Sequence, residues 1–183
     1  MSELKVNKIS PRSGTDITLG DSGDTFTIPS GATITNSGTA TGFGGANTPA
    51  FKALMNANQS ASDNTFTKIN FDTESYDTDS CYDSTTNYRF TPTTSGKYFI
   101  TSSLSLTSNQ TGSIIPAIYF NGSEVARGNS YLGNSTARGI VATTLTFNGS
   151  TDYVEIYIYQ STGGTRDINK DYATFEAFKL IGV

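Results

Sequence analysis

Histidine is absent from this chain, and cysteine occurs once, at Cys81. Without an imidazole nothing stands ready to take a proton from a serine or a thiol, so catalysis of the Ser-His or Cys-His kind is excluded. Gly20-Asp21-Ser22-Gly23 repeats the residues around the nucleophile of trypsin-like proteases, and on this ground it is a coincidence within a turn. One cysteine also excludes an intrachain disulfide; beside Tyr82, Cys81 reads as a small packed hydrophobe. Charge is sparse, at 15% of residues, with 12 Lys and Arg against 16 Asp and Glu, no basic run and a net −4. Phosphate backbones need clustered cations, so nucleic acid is not an expected partner. No apolar run approaches the roughly 20 residues that cross a bilayer, and Met1 to Ile9 lacks the apolar segment of a signal peptide. Neither membrane insertion nor secretion is expected, and no residue set calls for a cofactor.

What remains is rich in Thr, Ser, Gly and Asn, with 11 Phe and 10 Tyr, a composition suited to strands and turns. It falls into two textures. Residues 1–48 read as an arm with too few large apolar side chains for a core of its own. Ile17, Leu19, Phe26, Ile28 and Ile34 are nearly all it has, and the pairs recur at intervals of eight or nine residues. That spacing fits a short-strand-and-turn repeat, which becomes stable by stacking on copies of itself or on another protein. Gly42-Phe43-Gly44-Gly45 closes the arm as a joint.

Residues 49–183 read as an all-β domain. Tyr98, Ile100, Leu104 and Leu106 share one parity, opposite Phe99, Thr101, Ser103 and Ser105, as a half-buried strand requires. Ile114, Ile118 and Phe120 form another strand ending at Asn121-Gly122, and Val141, Leu145 and Phe147 a third ending at Asn148-Gly149. Asn-Gly is a tight-turn signal between alternating segments. In Asp152 to Gln160, Val154, Ile156 and Ile158 point one way and Tyr153, Tyr157 and Tyr159 the other. A monomer normally places charge on the second face, so three tyrosines there suggest contact with another surface; a core strand lying under a loop is the alternative. Ala50 to Gln59 has a helix-like period through Phe51, Leu54 and Met55, and Tyr172 to Val183 reads as a central closing strand.

Pro49-Ala50-Phe51-Lys52-Ala53, Lys68-Ile69-Asn70-Phe71-Asp72, Asp152-Tyr153-Val154-Glu155-Ile156 and Thr174-Phe175-Glu176-Ala177-Phe178-Lys179-Leu180 fall in an order that resembles the globular head of complement C1q and its tumour-necrosis-factor-like relatives. Phe90-Thr91-Pro92-Thr93-Thr94-Ser95-Gly96-Lys97-Tyr98 is similar to that family's Phe-x-Pro-x-x-x-Gly-x-Tyr signature. The resemblance implies a homotrimeric jelly-roll sandwich, with Ala50 to Gln59 as its first strand against the helical period. Gly149-Ser150-Thr151-Asp152, where the family has a plain Gly-Asp turn, and Ala177, where it has glycine, depart from the pattern. Ile9-Ser10-Pro11-Arg12-Ser13-Gly14-Thr15, Leu19-Gly20-Asp21-Ser22-Gly23-Asp24 and Ile28-Pro29-Ser30-Gly31-Ala32-Thr33 resemble the opening of marine bacteriophage fibre proteins, whose N-terminal segment attaches a trimeric head.

Together these readings lead to a virion component: a trimeric fibre or decoration protein, its arm anchored to other virion proteins through Ile17, Leu19, Phe26 and Ile28. Tyr153, Tyr157, Tyr159 and Phe175 are the expected trimer interface. A receptor-binding tip for a host surface glycan or protein is the alternative, ahead of a glycan depolymerase. The last needs two acids across a cleft, for which Glu155 and Glu176 are the candidates, with Lys170, Lys179 or Arg166 available as ion-pair partners. Asp72, Glu74, Asp77, Asp79 and Asp83 crowd one stretch; Asp72, Asp77 and Asp79 are the residues a calcium ion would take, against a solvated acidic loop. Asn109, Asn121, Asn134 and Asn148 fit the glycosylation pattern and read more simply as turn chemistry.

Overall fold

The computed structural model describes residues 9–35, 37, 47–135 and 138–181. The chain divides into two units, Met1–Phe43 and Gly44–Val183. In the first, the described residues carry no strand. Their backbone runs extended between turns, two of them closed by Asp24 N–H donating to the Asp21 carbonyl (3.0 Å) and Ala32 N–H to the Pro29 carbonyl (3.1 Å). The expected short strands are therefore extended runs without a ladder, since a strand requires a neighbour and a single arm supplies none.

The second unit carries fourteen strands among its described residues. In chain order they are β1 (Ala50–Leu54), β2 (Gln59–Ala61), β3 (Thr67–Lys68), β4 (Thr73–Asp77), β5 (Tyr82–Asp83), β6 (Arg89–Phe90), β7 (Gly96–Ser105), β8 (Gln110–Phe120), β9 (Ser123–Arg127), β10 (Ser130–Ser135), β11 (Arg138–Phe147), β12 (Val154–Gln160), β13 (Arg166–Ile168) and β14 (Thr174–Lys179). One sheet runs β11-β7-β14-β1-β4; the other runs β10-β8-β12-β6-β5, with β9 on β8 and β3 on β12; β13 and β2 pair separately. All the strand pairings are antiparallel.

Alternation builds the two faces. On β7, Tyr98, Ile100, Ser102 and Leu104 are buried, and on β12 Val154, Ile156, Ile158 and Gln160 are. The sheets meet through Phe51, which stacks on Tyr82 and Phe90 (4.6 Å each) and takes Phe175 edge-on at 4.8 Å. Burying Gln160 requires partners for its amide. Its Nε2 donates to the carbonyls of Ala61 and Gly164, and its Oε1 accepts from Thr162.

β1 follows a period of two, with Phe51 and Ala53 inward, because β14 and β4 pair with it on either side; sheet contacts override its helical pattern. Phe175 is a correction. It lies fully buried inside the sandwich of one chain, on the inner face of β14 with Ala177, and is not an interface residue. The outer face of β14 carries Phe178 instead, against Phe99 of β7 (5.5 Å). The two Asn-Gly sites differ. Asn121 and Gly122, both at positive φ, make the two-residue hairpin of β8 and β9. Asn148-Gly149 instead opens a loop that crosses from β11 to β12 in the other sheet. There Asn148 Oδ1 accepts from the N–H groups of Ser150, Thr151 and Asp152.

Candidate functional site

The outer face of the seven-stranded sheet gathers the tyrosines. Antiparallel register sets Glu155 opposite Tyr119, Tyr157 opposite Ala117 and Tyr159 opposite Ile115. Tyr119 and Tyr157 approach to 4.1 Å between ring centroids, and Phe66 lies across Tyr119 (5.9 Å) and Tyr159 (5.4 Å). Arg127, held by Glu124 in a two-bonded pair, reaches over the Phe66 ring, and Arg89 lies over Tyr153 at 4.3 Å. Tyr159 donates its hydroxyl to Asn64 Oδ1 at 2.8 Å. Tyr153, Tyr157 and Tyr159 are thus half-buried against partners in their own chain. Residues 64–66 cover part of this face, the arrangement of a strand under a loop.

Glu155 sits beneath these rings and is buried although it points outward. Lys68 on the neighbouring β3 neutralises it, Nζ to Oε1 at 2.5 Å, so its partner is none of the expected Lys170, Lys179 or Arg166. Burial, with the Glu155 charge adding to it, raises the Tyr157 hydroxyl above the ordinary tyrosine value. Burial, then Glu124, does the same for Tyr119. Both stay protonated at neutral pH, and the Tyr157 hydroxyl points its donor at Glu155 Oε2, 3.5 Å away.

Glu176 occupies the opposite outer surface. It pairs with Lys52 (3.0 Å) on the outer face of the five-stranded sheet. Glu155 and Glu176 therefore lie on different sides of the sandwich and do not face each other within one chain. Around Glu176 that face carries half-buried Phe99 and Phe178, and Ile140, 60% exposed on β11.

The acidic stretch spends its carboxylates locally. Asp72 accepts from Asn56 N–H (2.7 Å), Asp77 from Tyr82 N–H (2.7 Å), and Asp79 from the Thr78 hydroxyl (2.5 Å). Among the described residues no three acids, histidines or cysteines are grouped to hold a metal, so Asp72, Asp77 and Asp79 are not brought together as a calcium site. Asp83 caps the 84–87 turn through the N–H groups of Thr85, Thr86 and Asn87, which hold its carboxyl well below the usual range. Cys81 is buried and free.

Sequence reasoning missed Tyr119, Phe66 and Arg127. Tyr119 was accessible by parity, one residue from inward Ile118. Phe66 precedes a two-residue strand and had no periodic signal. On the arm, Ile17, Leu19, Phe26 and Ile28 are exposed, from 39% at Ile28 to 68% at Phe26.

The two packed antiparallel sheets, with first and last strands of the unit adjacent, form a jelly-roll sandwich. The solved structures that share it include vertex protein P5 of phage PRD1, with a TM-score of 0.59 at 17% identity over 74% of this chain and 99% of that one. Murine APRIL gives 0.57 at 10% identity, over 72% of this chain and 98% of that chain. The Eiger TNF of S. frugiperda gives 0.55 at 9%, over 72% and 91%. No protein-family profile and no curated protein matches the sequence.

Proposed function

We propose that the chain is a structural component of a bacteriophage particle, a trimeric fibre or decoration protein. Residues 1–48 anchor it to other virion proteins, and residues 49–183 form an outward-facing head. The observation that carries this reading is the contrast between the units. The head packs a core of its own, while Ile17, Leu19, Phe26 and Ile28 of the arm are exposed with no core beside them among the described residues. Exposed apolar residues in series mark a surface that assembly covers. Likeness of the head to a vertex protein and of the arm to phage fibre openings supports the setting.

In this reading the heads meet through the outer face of the five-stranded sheet. Phe99 and Phe178 lie there half-buried beside exposed Ile140, whereas the tyrosine face already holds partners in its own chain. Light scattering of the purified chain at micromolar concentration is expected to give three times the chain mass. Phe178→Asp is expected to give monomer, and Tyr157→Asp to leave the trimer. A wild-type monomer overturns the trimer, and dissociation by Tyr157→Asp alone returns the contact to the tyrosine face. Labelling intact particles with an antibody against the head tests the setting; particles that never take the label overturn it.

The tyrosine face favours a second reading, a tip that recognises a host surface glycan or protein. Its ring band flanked by Arg127 and Arg89 combines apolar faces with polar edges, the surface type enriched at recognition sites.

A further inference from the structure

We infer that the outer face of the seven-stranded sheet binds an uncharged glycan, in the strip between Tyr131 and the ring pair of Phe66 and Tyr159. The inference rests on the second reading above, a tip for the host surface, and names its ligand class and its residues.

Antiparallel register locates the strip. Tyr131 on β10 stands opposite Ser113 of β8, and Ile115 of β8 stands opposite Tyr159 of β12, so all four share the outer face. Two strand spacings and two residues of rise put the Cα atoms of Tyr131 and Tyr159 about 12 Å apart. Between them Ser113 is small and Ile115 half-buried, which leaves a shallow floor. One wall is fixed. Tyr159 is tied to Asn64 through its hydroxyl and packs on Phe66, which also touches Tyr119. The other wall is free. Tyr131 is 70% exposed, and among the described residues no ring or guanidinium packs on it. A ligand laid on the strip meets one surface already ordered and one that can turn onto it.

The chemistry of the strip selects the ligand. Its rings offer apolar faces, and the hydroxyls of Tyr119, Tyr131 and Ser113 have no hydrogen-bond partner among the described residues. A pyranose matches both, with C–H groups on its faces and hydroxyls that donate and accept around its rim. An extended peptide would need a free strand edge, whereas β8 is paired on both sides. The cations nearby are engaged. Glu124 holds Arg127 in a two-bonded pair, Glu155 holds Lys68, and Arg166 donates to oxygens of Thr162 and Thr165. Arg89 lies over Tyr153, before the other end of β12. With the chain at net −4, an acidic polymer meets repulsion without a free cation to offset it.

The test is native electrophoresis of the purified full chain through gels that each contain one polysaccharide. Dextran, mannan, laminarin and galactan are the uncharged probes; alginate and heparin are the acidic ones. At least one uncharged polymer is expected to retard the chain, and neither acidic one. Tyr131→Ala and Tyr159→Ala are each expected to weaken the retention about tenfold, the loss of one stacked ring. Tyr76→Ala removes an exposed tyrosine of the other sheet and should leave retention unchanged. Retention by acidic polymers alone, lost in Tyr131→Ala, overturns the uncharged class and leaves the tip reading standing. Retention equal in wild type and Tyr131→Ala overturns the strip as the site. No retention by any polymer overturns the inference and leaves the tip reading only its protein partner.

Discussion

At the scale of single residues, the head depends on inward aromatics and on one covered ion pair. Phe175 touches Phe51, Phe71 and Tyr82, so Phe175→Ala is expected to cost about 3–5 kcal/mol in urea unfolding, through lost transfer energy and the cavity left behind. Lys68→Met strands the Glu155 carboxylate. The expected cost is about 3 kcal/mol, the low end for breaking a covered pair, because Lys68 keeps 28% exposure. Replacing both, as Lys68→Met with Glu155→Leu, should recover most of it. Asp83 gives the molecule an acid-sensitive turn. Its carboxyl is depressed in the folded state by backbone N–H donors, so its stabilisation is full above the unfolded carboxylate value of about 3.9 and is lost as pH falls below it. Asp83→Ala is therefore expected to be less stable than wild type at pH 7. The gap between their unfolding midpoints should narrow steadily as pH drops below about 4.

At the scale of elements, loops decide how the sheets join. Gly149 lies at φ +76° where a Cβ would collide with the backbone of Thr94 and Ser95, so the Asn148–Asp152 loop is packed onto the middle of the signature segment. Gly163 shares the conformation (φ +83°) with nothing near its missing Cβ. Gly149→Ala should cost about 2–5 kcal/mol, strain plus overpacking, and Gly163→Ala about 1 kcal/mol, strain alone, as read from denaturant midpoints. The departure from a plain Gly-Asp turn thus has a physical account in this crossing. β7 and β12 were legible in the sequence because inward, mostly aliphatic residues alternate with outward residues of another kind, mostly hydroxyl-bearing or charged, which writes a period of two. The segment around β14 was legible as a strand but not in its facing, since Phe175 and Phe178 put aromatics on both parities. Only pairing with β1 and β7 decides which looks inward. The tyrosine face was legible in β12 and illegible in its cover, because Phe66 reaches it from a loop that obeys no period. The acidic residues looked like a site by density alone; their partners are nearby N–H and O–H groups, which density does not encode.

For the whole molecule, the division into a self-sufficient head and a solvent-exposed arm makes a separable prediction. Deleting residues 1–48 should leave a folded head, with unfolding midpoint near that of the full chain and no incorporation into particles, scored by copy number per particle. A truncated head that decorates at normal copy number removes the anchoring role. The strand order β11-β7-β14-β1-β4 has a further consequence, in time rather than in space. Both β1 and β7 pair with β14, the last strand of this sandwich in chain order, so until residues 174–179 emerge from the ribosome the sheet has a gap at its centre. Such distant pairings fold slowly, on the order of milliseconds to seconds for sandwiches, and leave apolar edges bare while they wait. A chain cut short before β14 cannot close its sandwich, so prematurely terminated products would be left to proteolysis before they could meet finished copies. The topology thereby makes the sandwich's final strand the condition for its folding.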